Sequence, residues 1–426
     1  MDLDVVIITN SPGELSSWVR VTAEKVRKKS PGARIVVMLV PCPYASGREV
    51  EIASSFGEVD LVLSPREFLG YLLGQSVSKY VPSSRGVVVF LGGDYWHALL
   101  MSRKLGFPAV AYTDRPSSWG RYFRHVCVAD ERVKASLIEA GVPHEKVVVV
   151  GNLMVEGVRP IMERATALEQ WGLRADALTV GLFPGSRWYH VQASLSPFLR
   201  VAEDLAAQAT ASAPVQFALG LSPFLTQQEL CSSLQRQPEP YLDGQSGRLM
   251  PEGAGWVVRT EGGLRIPVVQ KQQYDLMNLS DLVLTIPGTN TAEIASLGRP
   301  MVVAMTWRAR IPRGGLAALL TWMPMQNFIR RRLLKGILKK IRYTALPNQI
   351  AQREVVPEVR VEWEAGEISR VAADLLQNRE WREEMGTELK SLMGNGGASD
   401  RVADIILDSS SQSTPRHYAM AGGTAR

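Results

Sequence analysis

Seven short apolar runs punctuate the first 160 residues, at 5–8, 34–40, 61–63, 86–91, 109–112, 125–129 and 146–150. Each is rich in β-branched residues and continuous rather than alternating, which is the pattern of a strand buried on both faces. Helical stretches separate the runs, so residues 1–160 predict one doubly wound α/β domain with a parallel sheet. A second series starts at Leu178 and continues at 215–219, 256–258, 266–269, 282–286 and 301–305. It predicts a second Rossmann-like domain over 175–345, joined to the first through a helix and connector at 156–176. The Gly-, Pro- and Gln-rich stretch 235–255 reads as a mobile loop. Residues 346–407 hold two amphipathic patterns, at 364–376 and 381–393, with a break at Asn395-Gly396-Gly397. From 408 to 426 the chain reads as a disordered polar tail.

Composition narrows the class. With 426 residues, 46% of them apolar, the chain can bury two full cores without staples. Its three cysteines, Cys42, Cys127 and Cys231, are scattered, and neither a disulfide set nor a metal site is expected; a reducing cytoplasm fits. The N-terminus carries acids before a short apolar run, which reads as a strand and not a secretory signal. Net charge is +6, but residues 308–342 carry ten cations and no acid, leaving the remainder at −4. Inside that segment 314–329 is uncharged and rich in Leu, Met and aromatic residues, too short for a spanning helix and interrupted by Pro324. Trp322, Met323 and Phe328 beside Arg330, Arg331 and Arg332 therefore predict contact with an anionic membrane surface. The plainer alternative is a helix packed on the second domain.

Ligands of open α/β sheets bind beyond the carboxyl ends of the strands, so the residues after each strand are the candidates. Asn10 to Glu14 follows the first run, with Gly13 permitting close backbone approach and Ser16 placed to open a helix. Gly92-Gly93-Asp94 follows the fourth; Asp94 is a candidate general base or a helix cap, and His97 is its candidate partner. Phe183-Pro184-Gly185-Ser186-Arg187 offers amides and a guanidinium fork to a pyrophosphate. The turn Pro287-Gly288-Thr289-Asn290 offers amides and hydroxyls, and Glu293 a turn later could accept from a ribose diol. Each alone is an ordinary helix start. Two anion-type turns in one domain without a Walker lysine favour holding a nucleotide diphosphate over splitting a triphosphate.

These residues resemble the lipid-A-disaccharide synthases, inverting glycosyltransferases of the GT-B fold. Leu346-Pro347-Asn348 through Ala351-Gln352-Arg353-Glu354 to Glu358 closely resembles the family's LPN-x-x-AGRE-x-x-x-E stretch, with Gln352 replacing a glycine. Phe183 to Arg187 is similar to its LPGSR turn, and Gly288-Thr289 with Glu293 to its SGT-x-x-x-E turn. The resemblance implies two lobes with a cleft between them, a UDP-sugar donor and no metal. By it Gly185, Ser186, Arg187, Gly288, Thr289, Asn290 and Glu293 hold the donor, and Asn348 and Arg353 meet the diphosphate or the closed cleft. Asp94 inherits the base role, with Glu14 and His97 as further catalytic candidates and Asn10, Gly13 and Ser16 on the acceptor side.

The acceptor side departs from the family. Its Gly-Glu-x-Ser-Gly-Asp reads Gly13-Glu14-Leu15-Ser16-Ser17-Trp18 here, and Asn152 replaces a histidine. The expected reaction is transfer of a glucosamine-type sugar, with inversion, to a lipid or glycolipid at the inner face of the cytoplasmic membrane, with a homodimer possible in principle. Rival readings are a UDP-sugar 2-epimerase and a non-catalytic nucleotide-sugar or lipid binder. Nucleic acid is not an expected partner, since the basic segment lacks the aromatic spacing of a base-stacking platform.

Overall fold

The computed structural model describes residues 3–10, 12–42, 47–210, 213–235, 244–306, 342–361, 365–394 and 396–411. The chain forms two compact units, one of Met1–Gly157 with Asn395–Arg426, the other of Val158–Gly394. Each is a mostly parallel sheet flanked by helices, as the runs predict.

The first unit holds seven strands: β1 (Leu3–Thr9), β2 (Arg34–Leu39), β3 (Leu61–Leu63), β4 (Arg85–Phe90), β5 (Ala109–Thr113), β6 (His125–Val128) and β7 (Val147–Val149). Their order is β3-β2-β1-β4-β5-β6-β7, all parallel. Val5 to Ile8 are wholly buried because β1 is central and covered on both faces. At its start the buried carboxylate of Asp4 accepts from Arg34 at 2.9 and 2.7 Å, from the Ser83 amide and hydroxyl at 3.0 and 2.7 Å, and from the Tyr80 hydroxyl at 3.1 Å. A buried charge so fully paired is tolerated where a lone one would not be.

The second unit holds β8 (Leu178–Phe183), β9 (Val215–Leu221), β10 (Gly247–Glu252), β11 (Gly255–Thr260), β12 (Arg265–Gln270), β13 (Leu282–Thr285), β14 (Met301–Thr306) and β15 (Glu358–Val361). Their order is β10-β11-β12-β9-β8-β13-β14-β15. Here the expectation of a mobile loop at 235–255 is corrected. Residues 247–252 form an edge strand, antiparallel to β11, which is in turn antiparallel to β12. Its exposed Met250 and its Pro251 gave no apolar run, since an edge strand need not be buried and tolerates proline.

The expected third region, 346–407, is divided between the units. Residues 346–394 complete the second, adding β15 and the helices Gly366–Gln377 and Arg379–Met393. The helix Ala398–Ser411 returns to the first, where Lys25 meets Asp400 and Lys29 meets Asp404, both at 2.6 Å, and the Arg401 Nε donates to the Val150 carbonyl at 2.8 Å. This helix also corrects the start of the tail: residues 408–411 are helical, with Ser409 and Ser410 buried. Residues 412–426 lie outside the described residues, as do 307–341 with Trp322, Met323, Phe328, Arg330, Arg331 and Arg332. Among the described residues no helix is long and apolar enough to cross a membrane.

Candidate functional site

In the second unit the strand order turns back on itself between β8 and β13, the place where ligands of doubly wound sheets bind. Both sequence-predicted turns meet there. Gly185 has φ +108°, and a Cβ on it would stand 2.7 Å from Ile286 Cδ1 and 2.9 Å from His190 Cβ, so only glycine lets the two turns approach. Arg187, half-buried, is the extended residue before the helix Trp188–Gln208, which leaves the first amides of that helix pointing out of the turn. The Ser194 hydroxyl lies 2.8 Å from the carbonyls of both Pro184 and His190, tying the turn to the helix. Burial, reinforced by Arg187, lowers the His190 imidazole to about 4, so it is neutral at pH 7. A cavity of about 160 Å³ lies here, lined by His190, Ala193, Ser194, Ile286, Pro287 and Met305.

The second turn is braced from two sides. The Thr291 hydroxyl donates to the Gly288 carbonyl at 2.8 Å and accepts from the Leu346 amide at 3.2 Å. Thr289 precedes the helix Asn290–Ser296 without capping it through its side chain. One turn on, Glu293 is 7% exposed and accepts from the Tyr274 hydroxyl at 3.1 Å. Burial raises its carboxyl to about 7, against the smaller opposing effect of that hydrogen bond. Tyr274 and His190 escaped the sequence reading. The signal for His190 was its place one turn after Arg187; Tyr274 comes from a different strand end and had none.

Of the two donor-side candidates in this segment, Asn348 is corrected and Arg353 is placed. Asn348 is wholly buried, and its amide makes four bonds within its own segment: it donates to the Val356 carbonyl and Glu358 at 2.8 and 2.9 Å and accepts from the Val355 and Val356 amides at 2.7 and 2.9 Å. That exhausts the side chain, so Asn348 shapes the turn rather than meeting a phosphate. Arg353 is exposed and ion-paired with Glu388. Between them Gln352 adopts φ +54°, ψ +22° at the end of the helix Leu346–Ala351. The glycine of the resembling motif falls at this left-handed position.

In the first unit the corresponding reversal lies between β1 and β4. Gly92 and Gly93 have φ +118° and +95°; a Cβ on Gly92 would stand 2.9 Å from Glu14 Cγ, and one on Gly93 3.2 Å from Asn10 Cγ. The glycine pair thus brings Asn10 and Glu14 up to the turn that ends at Asp94. Asp94 is exposed, and its carboxylate makes no cap bond to the helix Tyr95–Leu105. The catalytic assignment of His97 is corrected: it is 4% exposed, edge-on to Phe68 at 5.5 Å and stacked on Trp96 at 3.6 Å. Burial lowers its pKa, and its Nδ1 has no hydrogen-bond partner among the described residues. It belongs to the core.

Ser16 is corrected as a helix opener. The helix begins at Pro12, Ser16 lies within a π-helical turn, Leu15–Val19, and the ordinary helix Arg20–Lys29 continues from it. Such turns are rare and occur mostly as single insertions in longer helices, often at functional sites. The carbonyl of Gly13 accepts from the Ser17 hydroxyl at 2.7 Å. Asn152 accepts from the Met154 amide at 3.0 Å, at the start of the helix Leu153–Gly157.

Comparison with known proteins shows what the chain is similar to. Residues 262–393, which carry the second turn, Tyr274 and the 346–358 segment, match the family model described as lipid-A-disaccharide synthetase. The lipid-A-disaccharide synthases of Geobacter metallireducens and Geobacter sulfurreducens are 29% and 30% identical over 275 residues, 63% of this chain. The chain spans 58% of the length of these curated relatives. Among solved structures, UDP-GlcNAc 2-epimerase from Neisseria meningitidis has a TM-score of 0.55 at 13% identity, covering 95% of this chain and all of its own. MurG from Acinetobacter baumannii has 0.51 at 13% identity, covering 96% of this chain and all of its own. Those two likenesses show the shared two-domain fold. By sequence, the chain is similar to the lipid-A-disaccharide synthases, and the part that matches their family model, residues 262–393, lies in its second Rossmann-like unit.

Proposed function

We propose that the protein is an inverting glycosyltransferase that moves a glucosamine-type sugar from a UDP-sugar to a lipid or glycolipid acceptor. The observation that carries this reading is the meeting of the Gly185 and Gly288 turns at the strand reversal of the second unit, within a chain related to the lipid-A-disaccharide synthases. In the reaction as proposed, the amides after Arg187, its guanidinium and the Gly288 to Asn290 turn take the diphosphate, and Glu293 takes the ribose. Asp94, exposed beside Glu14 and Asn10, withdraws the proton from the acceptor hydroxyl as that oxygen attacks the anomeric carbon from the face opposite UDP. The C1–O bond to UDP breaks as the new C1–O bond forms. The departing diphosphate charge falls on preorganised amides and Arg187, so the proposal calls for no metal.

The epimerase reading has less support despite the shared fold. It needs acidic and imidazole groups facing the sugar from both domains, and His97, the imidazole that suggested it in the first unit, lies in the core. The test is incubation of the purified protein with candidate UDP-sugars and a total lipid extract, followed by mass spectrometry. A glycosylated lipid with release of UDP is expected. UDP-sugar binding without any glycolipid would instead establish a non-catalytic binder.

A further inference from the structure

The amino end of the second sheet carries a site of its own. Leu178 opens β8, Asp281 precedes β13, and Arg299 precedes β14, so the loops before three strands converge at the edge opposite the Gly185 turn. A six-residue strand such as β8 separates the two ends by about 20 Å. Against these loops lies the helix Arg379–Met393, in unusually close contact. Gly298 has φ +62°, and a Cβ on it would stand 2.6 Å from Lys390 Cε and 2.8 Å from the Gly386 carbonyl; one on Gly386 would stand 2.5 Å from the Gly298 carbonyl. The two glycines let the loop and the helix touch, and beside that contact opens a cavity of about 490 Å³.

Charge in this cavity is unbalanced. Its ionisable lining is Asp281, Arg299, Arg379, Arg382, Glu383 and Lys390. The two acids are already engaged: Glu383 with Arg379 at 2.7 Å, and Asp281 with the Thr179 amide at 2.8 Å and Arg164 at 3.7 Å. The other three cations meet no carboxylate within ion-pair distance among the described residues. Arg382 donates only to the carbonyls of Leu375 and Leu376, at 2.6 and 2.5 Å. Arg299 donates to Asn278 at 3.0 Å, while its buried Nε has no partner. Lys390 is exposed at the rim.

We infer that this cavity binds a phosphate-bearing anion, held by Arg299, Arg382 and Lys390. Two guanidinium forks and an ammonium put three cations on one cavity, a charge that a phosphate dianion, with its double charge and at least three acceptor oxygens, balances better than a singly charged carboxylate. The lowered pKa values of Arg299 and Arg382, caused first by burial, agree with cations that have lost water, a loss that the nearby charge of Asp281 does not offset. The inference stands apart from the proposed transfer reaction, because it uses none of the groups assigned to donor or acceptor.

The test is scanning calorimetry of the full chain in increasing inorganic phosphate. A saturable rise in Tm is expected, since a ligand that binds only the folded state stabilises it. Lys390→Ala and Arg299→Gln should each raise the apparent Kd by about tenfold, the effect of losing one charge-assisted contact, while Arg187→Ala leaves it unchanged. Lys390→Ala removes an exposed side chain and leaves the fold intact; circular dichroism verifies folding of Arg299→Gln. No saturable shift would overturn the inference. So would a shift that survives both variants and vanishes in Arg187→Ala, which would put the phosphate at the carboxyl-end turn. Flotation with phosphatidylcholine vesicles, with and without phosphatidic acid, identifies the source. Binding to phosphatidic acid weakened by Lys390→Ala supports the site and marks a lipid headgroup; a phosphate effect with no such weakening supports the site and marks a soluble phosphate.

Discussion

Tyr274 donates its hydroxyl to the buried carboxyl of Glu293 at 3.1 Å, joining the helix Gln273–Leu279, which follows β12, to the helix that follows β13. The pair fixes a titratable group inside the second unit, and its consequence is a pH dependence of known sign. Burial raises Glu293 from 4.5 to about 7, so between those values the folded chain holds a proton that the unfolded chain has released. Stability from this group is therefore complete below about pH 4.5 and is lost as the pH rises through about 7. Glu293→Gln keeps an acceptor for Tyr274 and removes the charge. Relative to wild type it should be stabilised little at pH 4.5 and by about 3 kcal/mol at pH 8, a shift of one unit being worth about 1.4 kcal/mol. Urea unfolding of both proteins across that range measures the difference. His190, with its lowered pKa, loses stability in the opposite direction, as the pH falls below about 6.5 towards about 4, and cancels in the comparison.

Gln352 occupies a left-handed conformation at the end of the helix Leu346–Ala351, where a side chain crowds the following carbonyl. Gln352→Gly should stabilise the second unit by about 1 kcal/mol, less the modest loss of the 2.5 Å bond from its side chain to the Gln349 carbonyl. A rise of a few degrees in the Tm of the variant would be the sign. An unchanged or lowered value would mean that the side-chain bond outweighs the backbone cost.

Much of the fold was legible because buried parallel strands leave continuous apolar runs, and every run noted in the sequence is a strand. What was lost follows from the same physics. β10 is an edge strand with one exposed row, so Arg248, Met250 and Glu252 look like loop. The last turn of the C-terminal helix ends in serines that read as solvent, yet Ser409 and Ser410 are buried. At the site, glycines betrayed the turns, because positive φ and close approach demand them at 92, 93 and 185. The roles of Asn348 and His97 were not legible. A motif shows that a polar residue is present and says nothing of whether its hydrogen bonds are already spent or whether its ring lies among aromatic neighbours.

Asn348 can be separated from the ligand site by experiment. Asn348→Ala strips partners from two buried amides, a carbonyl and Glu358, and each unsatisfied buried group is costly. We expect a loss of about 3 kcal/mol in the stability of the second unit, an estimate set by about 1 to 3 kcal/mol per orphaned group with partial relaxation. UDP affinity, measured by calorimetry well below the Tm, should remain near that of wild type. A variant that stays fully stable but no longer binds UDP would return Asn348 to the diphosphate.

Asp94 and Arg187 divide the proposed chemistry between proton removal and diphosphate binding, and paired variants can show the division. Asp94 is exposed and makes no cap bond, so Asp94→Asn keeps size and polarity and leaves the helix Tyr95–Leu105 in place. Loss of a general base should lower kcat by about 10²- to 10⁴-fold with UDP affinity unchanged. Arg187→Ala removes a charged donor from the Gly185 turn and should weaken UDP by about ten- to a hundredfold, with kcat falling too if the guanidinium also meets the leaving charge. Steady-state turnover against calorimetric affinity distinguishes the two patterns. Equal loss of UDP affinity in both variants would mean that Asp94 acts on the donor rather than the acceptor. Full turnover in Asp94→Asn would move the base to Glu14, the other carboxylate that the glycine pair at 92 and 93 brings to the end of β1.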